Sequence, residues 1–264
     1  MTRRGPLVLM YHGIAQVPAT EDPHNLFVPP RAFRAQLVAL REAGFEPLDL
    51  DGYLAVRAGT RSRAARQVLL TFDDGYVSML DDAAPLLKEA GFPALCFISA
   101  GLLGDRSHGM PNPSFDLMDA DQVRSLPAHG ISVGVHGWTH DPITALPANA
   151  LRTHTEQARD HLGALLGSLP AAFAYPYGEH DVSARTAVQN AGYQVGFATY
   201  DGTGPMAIPR VDVNATDTRR SFSIKLQRWY PAARRTLGTV APARSLAHRL
   251  IGSADRGTQS SNPC

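Results

Sequence analysis

Apolar residues in this chain come in short unbroken runs, separated by longer stretches in which they recur at every third or fourth position. The runs are PLVLMYH (6–12), QVLLTF (67–72), FPALCFIS (92–99), ISVGVH (131–136), AAFAY (171–175) and YQVGFAT (193–199). Between the first two, RAFRAQLVALREAG (31–44) sets Phe33, Leu37, Leu40 and Ala43 at helical spacing before Gly44 stops it. Further helices are expected near 78–90, ending at Gly91, and near 119–128, 148–167 and 182–191. Strands that are apolar on both faces, joined by helices, predict a parallel sheet covered on both sides. About seven such units point to a barrel, complete or partial, more than to an open sheet. The Gly/Pro-rich stretch 101–116 is expected as a loop over its mouth.

Several polar residues fall at one place in this pattern. His12, Asp73, Asp74, His136 and Tyr177 each stand at or just past the C-terminal end of a run. A parallel barrel gathers such positions on one rim, where barrel active sites form. TFDDG (71–75) puts two carboxylates side by side, a repulsive pair in a half-buried place. HGWTH (136–140) offers two imidazoles at a spacing that a helical turn would aim at one point. Together with one aspartate they make an Asp/His/His set suited to a catalytic divalent cation. Such a cation would resolve the repulsion: if Asp74 ligates it, Asp73 stays ionised, close enough to take a proton from water whose pKa the ion lowers. Each motif also has a bland reading alone. DDG can be a turn closing a strand, His12 a core histidine, and PYG (176–178) a turn over a packed aromatic. His24, His108, His129, His154, His161 and His180 read as loop or solvated-face residues.

Composition narrows the picture. The 264 residues suit one catalytic domain, and 44% hydrophobic content fills a sizeable core. With 25 Lys+Arg against 24 Asp+Glu, a formal charge of +1 gives no sign of nucleic-acid binding. Cys96 lies in an apolar run and Cys264 ends the chain, which disfavours a disulfide framework and favours a cytoplasmic setting. The apolar run after Arg3 and Arg4 is too short for a signal h-region, and no stretch is long enough to span a bilayer.

TFDDG, then His-x3-His, then AYPYG (174–178), in this order, resemble the successive motifs of the polysaccharide deacetylases, carbohydrate esterase family four. The resemblance runs from about residue 5 to 213. It implies a distorted (β/α)7 barrel and metal-dependent hydrolysis of an N-acetyl group from an amino sugar. It implies Asp73 as base, Asp74, His136 and His140 as ligands, and the backbone N–H of Tyr177, after Pro176, as donor to the developing oxyanion. The ion would be Zn2+, with Co2+, Ni2+ or Fe2+ as substitutes. The chain departs from the family in two ways. Ala174 stands where most members hold the base with an arginine, and no late Leu-x-His follows Tyr177. A permuted subgroup resembling exopolysaccharide deacetylases carries the acid histidine in an N-terminal YH motif, which LMYHGI matches, so His12 is assigned as the acid. Arg210, in IPRVDV, is assigned to orient Asp73 in place of the missing arginine. Trp138 either lines the sugar site or is buried under the ligand loop.

These readings divide the chain into a barrel over 1–213, a basic helical extension over 214–252 and a disordered tail over 253–264. Residues 217–250 hold eight Lys/Arg against Asp217 alone, interleaved with Phe222, Leu226, Trp229 and Tyr230. Such a segment either lies on anionic lipid at the inner membrane face or packs on the barrel. The expected substrate is an N-acetylated sugar, as a lipid-linked or soluble glycan precursor. Two alternatives stand beside it: a carbohydrate-binding pseudoenzyme on the same barrel, and an amidohydrolase of a formyl or non-sugar amide.

Overall fold

The structure, a computed structural model, describes residues 5–106 and 115–234. Eight parallel strands form one sheet: β1 (Leu7–Tyr11), β2 (Glu46–Leu48), β3 (Gln67–Phe72), β4 (Ala94–Ile98), β5 (Ile131–Val135), β6 (Ala172–Ala174), β7 (Val195–Phe197) and β8 (Val211–Asp212). Their order is β7-β6-β5-β4-β3-β1-β8, with β2 paired to β3 off this path. β1 covers one edge of β3, while β2 takes Gln67–Leu69 and β4 takes Thr71–Phe72 on the other. The two ends of the sheet meet through one segment. Ile208 pairs with Phe197 of β7, and Val211 and Asp212 pair with Leu9 and Met10 of β1. The result is a distorted (β/α)7 barrel, as expected.

The helices are α1 (Pro30–Glu42), α2 (Leu50–Ala58), α3 (Ala84–Ala90), α4 (Ala120–Ser125), α5 (Ala148–Arg152), α6 (Ala158–Leu166), α7 (Val182–Asn190) and α8 (Arg219–Lys225). α3 follows a π turn, Met79–Ala83, and a second π turn, Thr153–Gln157, joins α5 to α6. The predicted strands and helices are present, and three elements join them that the apolar pattern did not show. β2 is short and contains Pro47, which weakens any strand signal. α2 is announced only by its ends: the Asp49 side chain accepts from Gly52 N–H at 2.7 Å, and Gly59 closes it with φ +80°. β8 is two residues long.

Because side chains alternate along a strand, the sheet feeds two packed layers. Leu69, Leu95, Phe97, Ala172, Ala174, Phe197 and Ile208 fill the barrel interior. Leu9, Leu70, Phe72, Cys96 and Ile98 face outward against helix residues such as Leu37, Leu40 and Leu87. Each large apolar side chain so buried contributes about 1.5–3 kcal/mol. The interior is tight enough to dictate Gly134, where a Cβ would stand 2.5 Å from the Phe97 ring.

α8, the described part of the basic extension, packs on the barrel. Phe222 is 1% exposed, and Lys225 Nζ reaches Asp217 at 2.6 Å and the Asp212 carbonyl at 2.9 Å. Residues 235–252 of that extension, the tail expected as disordered, Cys264, His108 and residues 107–114 of the mouth loop lie outside the described residues. Among the described residues, no helix is long and apolar enough to cross a membrane.

Candidate active site

β3 delivers the paired aspartates. Asp73 still follows the ladder, its N–H donating to the Tyr11 carbonyl at 2.9 Å. Asp74 and Gly75 then enter the left-handed region at φ +73° and +81°, so the chain swings away directly after Asp73. The two carboxylates consequently meet different partners.

Asp73 faces Arg210, which sits between β7 and β8. The guanidinium donates two parallel hydrogen bonds, NH1 to Oδ1 at 2.6 Å and NH2 to Oδ2 at 2.8 Å. It is fixed in turn by the Ala198 carbonyl at 3.1 Å and the Thr71 hydroxyl at 3.3 Å, and lies 5.4 Å over the Phe97 ring. Both side chains are almost wholly buried, 0% and 4% exposed. Burial alone would raise the Asp73 pKa, but Arg210, with His136 and His12, outweighs it and holds the carboxyl below the usual range. Asp73 therefore stays charged inside the barrel mouth.

Asp74 faces the two histidines. Its Oδ1 lies 3.5 Å from His136 Nε2 and 3.1 Å from His140 Nε2, and one ligand atom from each residue falls within 4.8 Å of the others. His136 ends β5, and its Nδ1 is 2.8 Å from the Ala174 carbonyl. A carbonyl only accepts, so the proton belongs on Nδ1 and the Nε2 lone pair points toward Asp74. Burial pushes the His136 pKa down to about 4 against the pull of Asp73, which keeps the ring neutral. Burial also opposes protonation of His140, but Asp74 outweighs it and raises that pKa. Asp74 itself is held far below the usual carboxylate range, chiefly by His140, despite its burial.

The spacing 136–140 was expected to act from a helical turn. The structure uses a loop instead, with Gly137 at φ +80° and His140 at φ +60°. His140, Asp74 and Tyr177 (φ +58°) are three of the five described non-glycine residues with positive φ, so backbone strain is concentrated at this rim. Asp74 Oδ1 is buried, and despite its nearness to His140 it has no well-aligned hydrogen bond. An orphaned carboxylate oxygen beside two imidazole nitrogens fits a divalent cation.

The remaining candidates gather around this centre at different depths. His12 follows β1, half-buried, close enough that its charge favours the ionised forms of both Asp73 and Asp74. Tyr177 is 44% exposed, its ring centroid 4.7 Å from that of His140. Pro176 is buried, its Cγ 3.6 Å from where a Cβ on Gly137 would lie. Trp138 is part-buried, its ring against Gly101 and edge-on to His161 at 5.5 Å.

One supporting residue escaped the sequence reading. His154, expected on a solvated face, is 7% exposed, and its Nδ1 accepts from the Trp138 N–H at 3.2 Å. Burial lowers its pKa, which suits an accepting ring. It stands in the π turn between α5 and α6, where the helix widens and shifts its side-chain register. His180, expected as a loop or solvated-face residue, stands in the loop before α7, half-buried, with Nδ1 2.9 Å from Arg185 NH1.

Comparison with known proteins gives the family. Residues 60–196 match the family model described as polysaccharide deacetylase. YxkH of Bacillus subtilis (strain 168), whose name places it in the same family, is 26% identical over 225 residues, 83% of this chain and 75% of its own. The poly-beta-1,6-N-acetyl-D-glucosamine N-deacetylase of Escherichia coli (strain K12) is 23% identical over 257 residues, 83% of this chain but only 38% of that longer protein. Among solved structures, IcaB from Ammonifex degensii superposes with a TM-score of 0.71 at 25% identity, covering 85% of this chain and 96% of its own. The chain belongs to the polysaccharide deacetylase family and is a carbohydrate N-deacetylase, a hydrolase.

Proposed function

We propose that this rim removes N-acetyl groups from an amino sugar of a cell-surface glycan or its precursor, with Asp73 as general base and His12 as general acid. One observation carries the reading: a buried carboxylate kept ionised by a bidentate arginine, one residue from an Asp/His/His set whose carboxylate oxygen is orphaned. Asp74, His136 and His140 would hold a divalent cation, for which Zn2+ is our first choice, with Co2+, Ni2+ or Fe2+ as substitutes. When bound, it would polarise the amide carbonyl and acidify water.

The chain's own residues supply the rest. Asp73 accepts the proton of the attacking water as its oxygen bonds to the acetyl carbon, and Arg210 keeps the carboxylate aligned and charged for this. The N–H of Tyr177 donates to the oxygen on which negative charge develops. His12 gives a proton to the amide nitrogen as the C–N bond breaks, releasing acetate and a free amine. The name of the Escherichia coli relative makes a β-1,6-linked N-acetylglucosamine polymer the first substrate to test. The cysteine pattern supports a cytoplasmic setting, and with it lipid-linked and nucleotide-linked forms.

Acetate release from these three forms, with each metal added, tests the proposal. Asp73→Asn is expected to lower turnover by about 10²–10⁴-fold while retaining bound metal. Normal turnover by metal-loaded Asp73→Asn would remove Asp73 from its role.

A further inference from the structure

The end of the barrel opposite the catalytic rim holds a cleft of ≈ 960 Å³. Its floor is made by the first residues of β1, Leu7 and Val8, with Ile208 and Val211 beside them, and its walls come from α1, α2 and residues 226–232. On this floor Leu7 stands five residues before His12, roughly 16 Å from the rim at the usual strand rise, while Pro209 and Val211 line the cleft on either side of Arg210. The volume lies at the upper end of ordinary small-ligand sites, about 300–1,000 Å³.

Its charge is one-sided. Arg57, Arg63, Arg66 and Arg228 line it, and no acidic residue does among those described, in a chain whose totals are 25 basic and 24 acidic. Four guanidinium groups around one cleft draw an anion, and Arg63 and Arg66 donate there to the Gly5 and Ala43 carbonyls. Arg57 and Arg66 lay their guanidinium groups over the Tyr53 and Phe45 rings, at 5.9 Å in both cases, and both residues are exposed. Trp229, 56% exposed, stands at the edge, the kind of aromatic that settles between apolar and wet surroundings. Apolar floor, cationic rim and an exposed tryptophan together specify an amphiphile more than a nucleotide or a free phosphate.

We propose that this face of the barrel is a second binding site, for a lipid anion whose acyl chain lies on the apolar floor and whose head group is held by the arginines. The site is independent of the deacetylase reading, because its ligand is detected by binding alone.

Calorimetry and tryptophan fluorescence of the full chain with monomeric myristoyl lysophosphatidylglycerol test it. One molecule per chain is expected, with a blue shift that Trp229→Phe removes. Myristoyl lysophosphatidylcholine and glycerol phosphate, which lack the net charge and the tail respectively, should each bind at least about tenfold more weakly. Arg57→Gln with Arg66→Gln should weaken binding by about tenfold or more while acetate release from a soluble substrate is unchanged. Ala65→Phe, which crowds an exposed wall position, should weaken it by a route that leaves the charge intact. Equal binding of glycerol phosphate would reduce the site to surface charge, and equal binding of the phosphatidylcholine would reduce it to an apolar groove. Either result, absence of saturable binding, or indifference to both kinds of variant overturns the proposal.

Discussion

Arginine does different work at the two ends of this barrel. At the catalytic rim, Arg210 is 1% exposed and tied to Asp73 by two hydrogen bonds, to Thr71 and to Ala198. At the opposite face, Arg57 and Arg66 rest on aromatic rings and remain exposed. Water solvates the exposed pair, so their interactions are individually weak and replaceable. Without water, the charge of Arg210 is tolerable only because Asp73 is there, and the reverse holds equally. The same side chain is thus an obligatory half of a machine at one end and an adjustable surface feature at the other.

The largest test of that contrast removes the buried guanidinium. Arg210→Ala should cost about 3–5 kcal/mol, since it leaves Asp73 charged and unpaired in the interior, whereas the exposed Arg57→Gln should stay within about 0.5 kcal/mol. Denaturant unfolding of both variants measures the difference. Similar losses would mean that burial does not set the value of these arginines. A smaller effect is expected one layer behind the rim. His154→Ala strands the Trp138 N–H, so it should cost about 1–3 kcal/mol and weaken metal binding by about 10–100-fold, with partial recovery in His154→Asn. Metal titration beside unfolding separates loop positioning from general damage, since only the former moves affinity more than stability.

The smallest effect sits on a helix end behind the rim, where Asp181 also accepts from Ala145 N–H at 3.2 Å. Asp181 caps α7, accepting from Ala184 N–H at 2.7 Å, and that bond holds its pKa below the usual value. Asp181→Ala should cost about 1 kcal/mol at neutral pH. A depressed folded-state pKa gives stability that is present above the unfolded value, about 3.9, and is lost as pH falls through the folded one. The gap between parent and variant should therefore close in acid. A gap that persists there would assign the effect to helix propensity instead of the charged cap.

How much of this was legible in the sequence depends on how local each signal is. The strands carrying Asp73 and His136 are unbroken apolar runs, so their positions, and the clustering of the polar side chains just past their ends, could be read directly. Asp73, Asp74, His136 and His140 were recoverable because the polar pattern changes abruptly at those strand ends. β2 and β8 were hidden because a few residues carry too little periodicity to distinguish a strand from a loop. His154 was hidden for another reason. It lies three residues after Leu151 and four before Ala158, on the face that helical spacing buries, but a histidine's polar side chain reads as solvated. The turn at 137–140 departs from expectation for a third reason: His-x3-His describes spacing, and a left-handed loop can satisfy that spacing as well as a helix.

The stretch 208–212 touches both free edges of the sheet and also carries Arg210. If Asp73 is the base proposed above, sealing the barrel and supplying its counter-charge are one structural event. Removing this stretch would open both sheet edges and strip the buried acid of its partner at once, so closure and readiness stand or fall together.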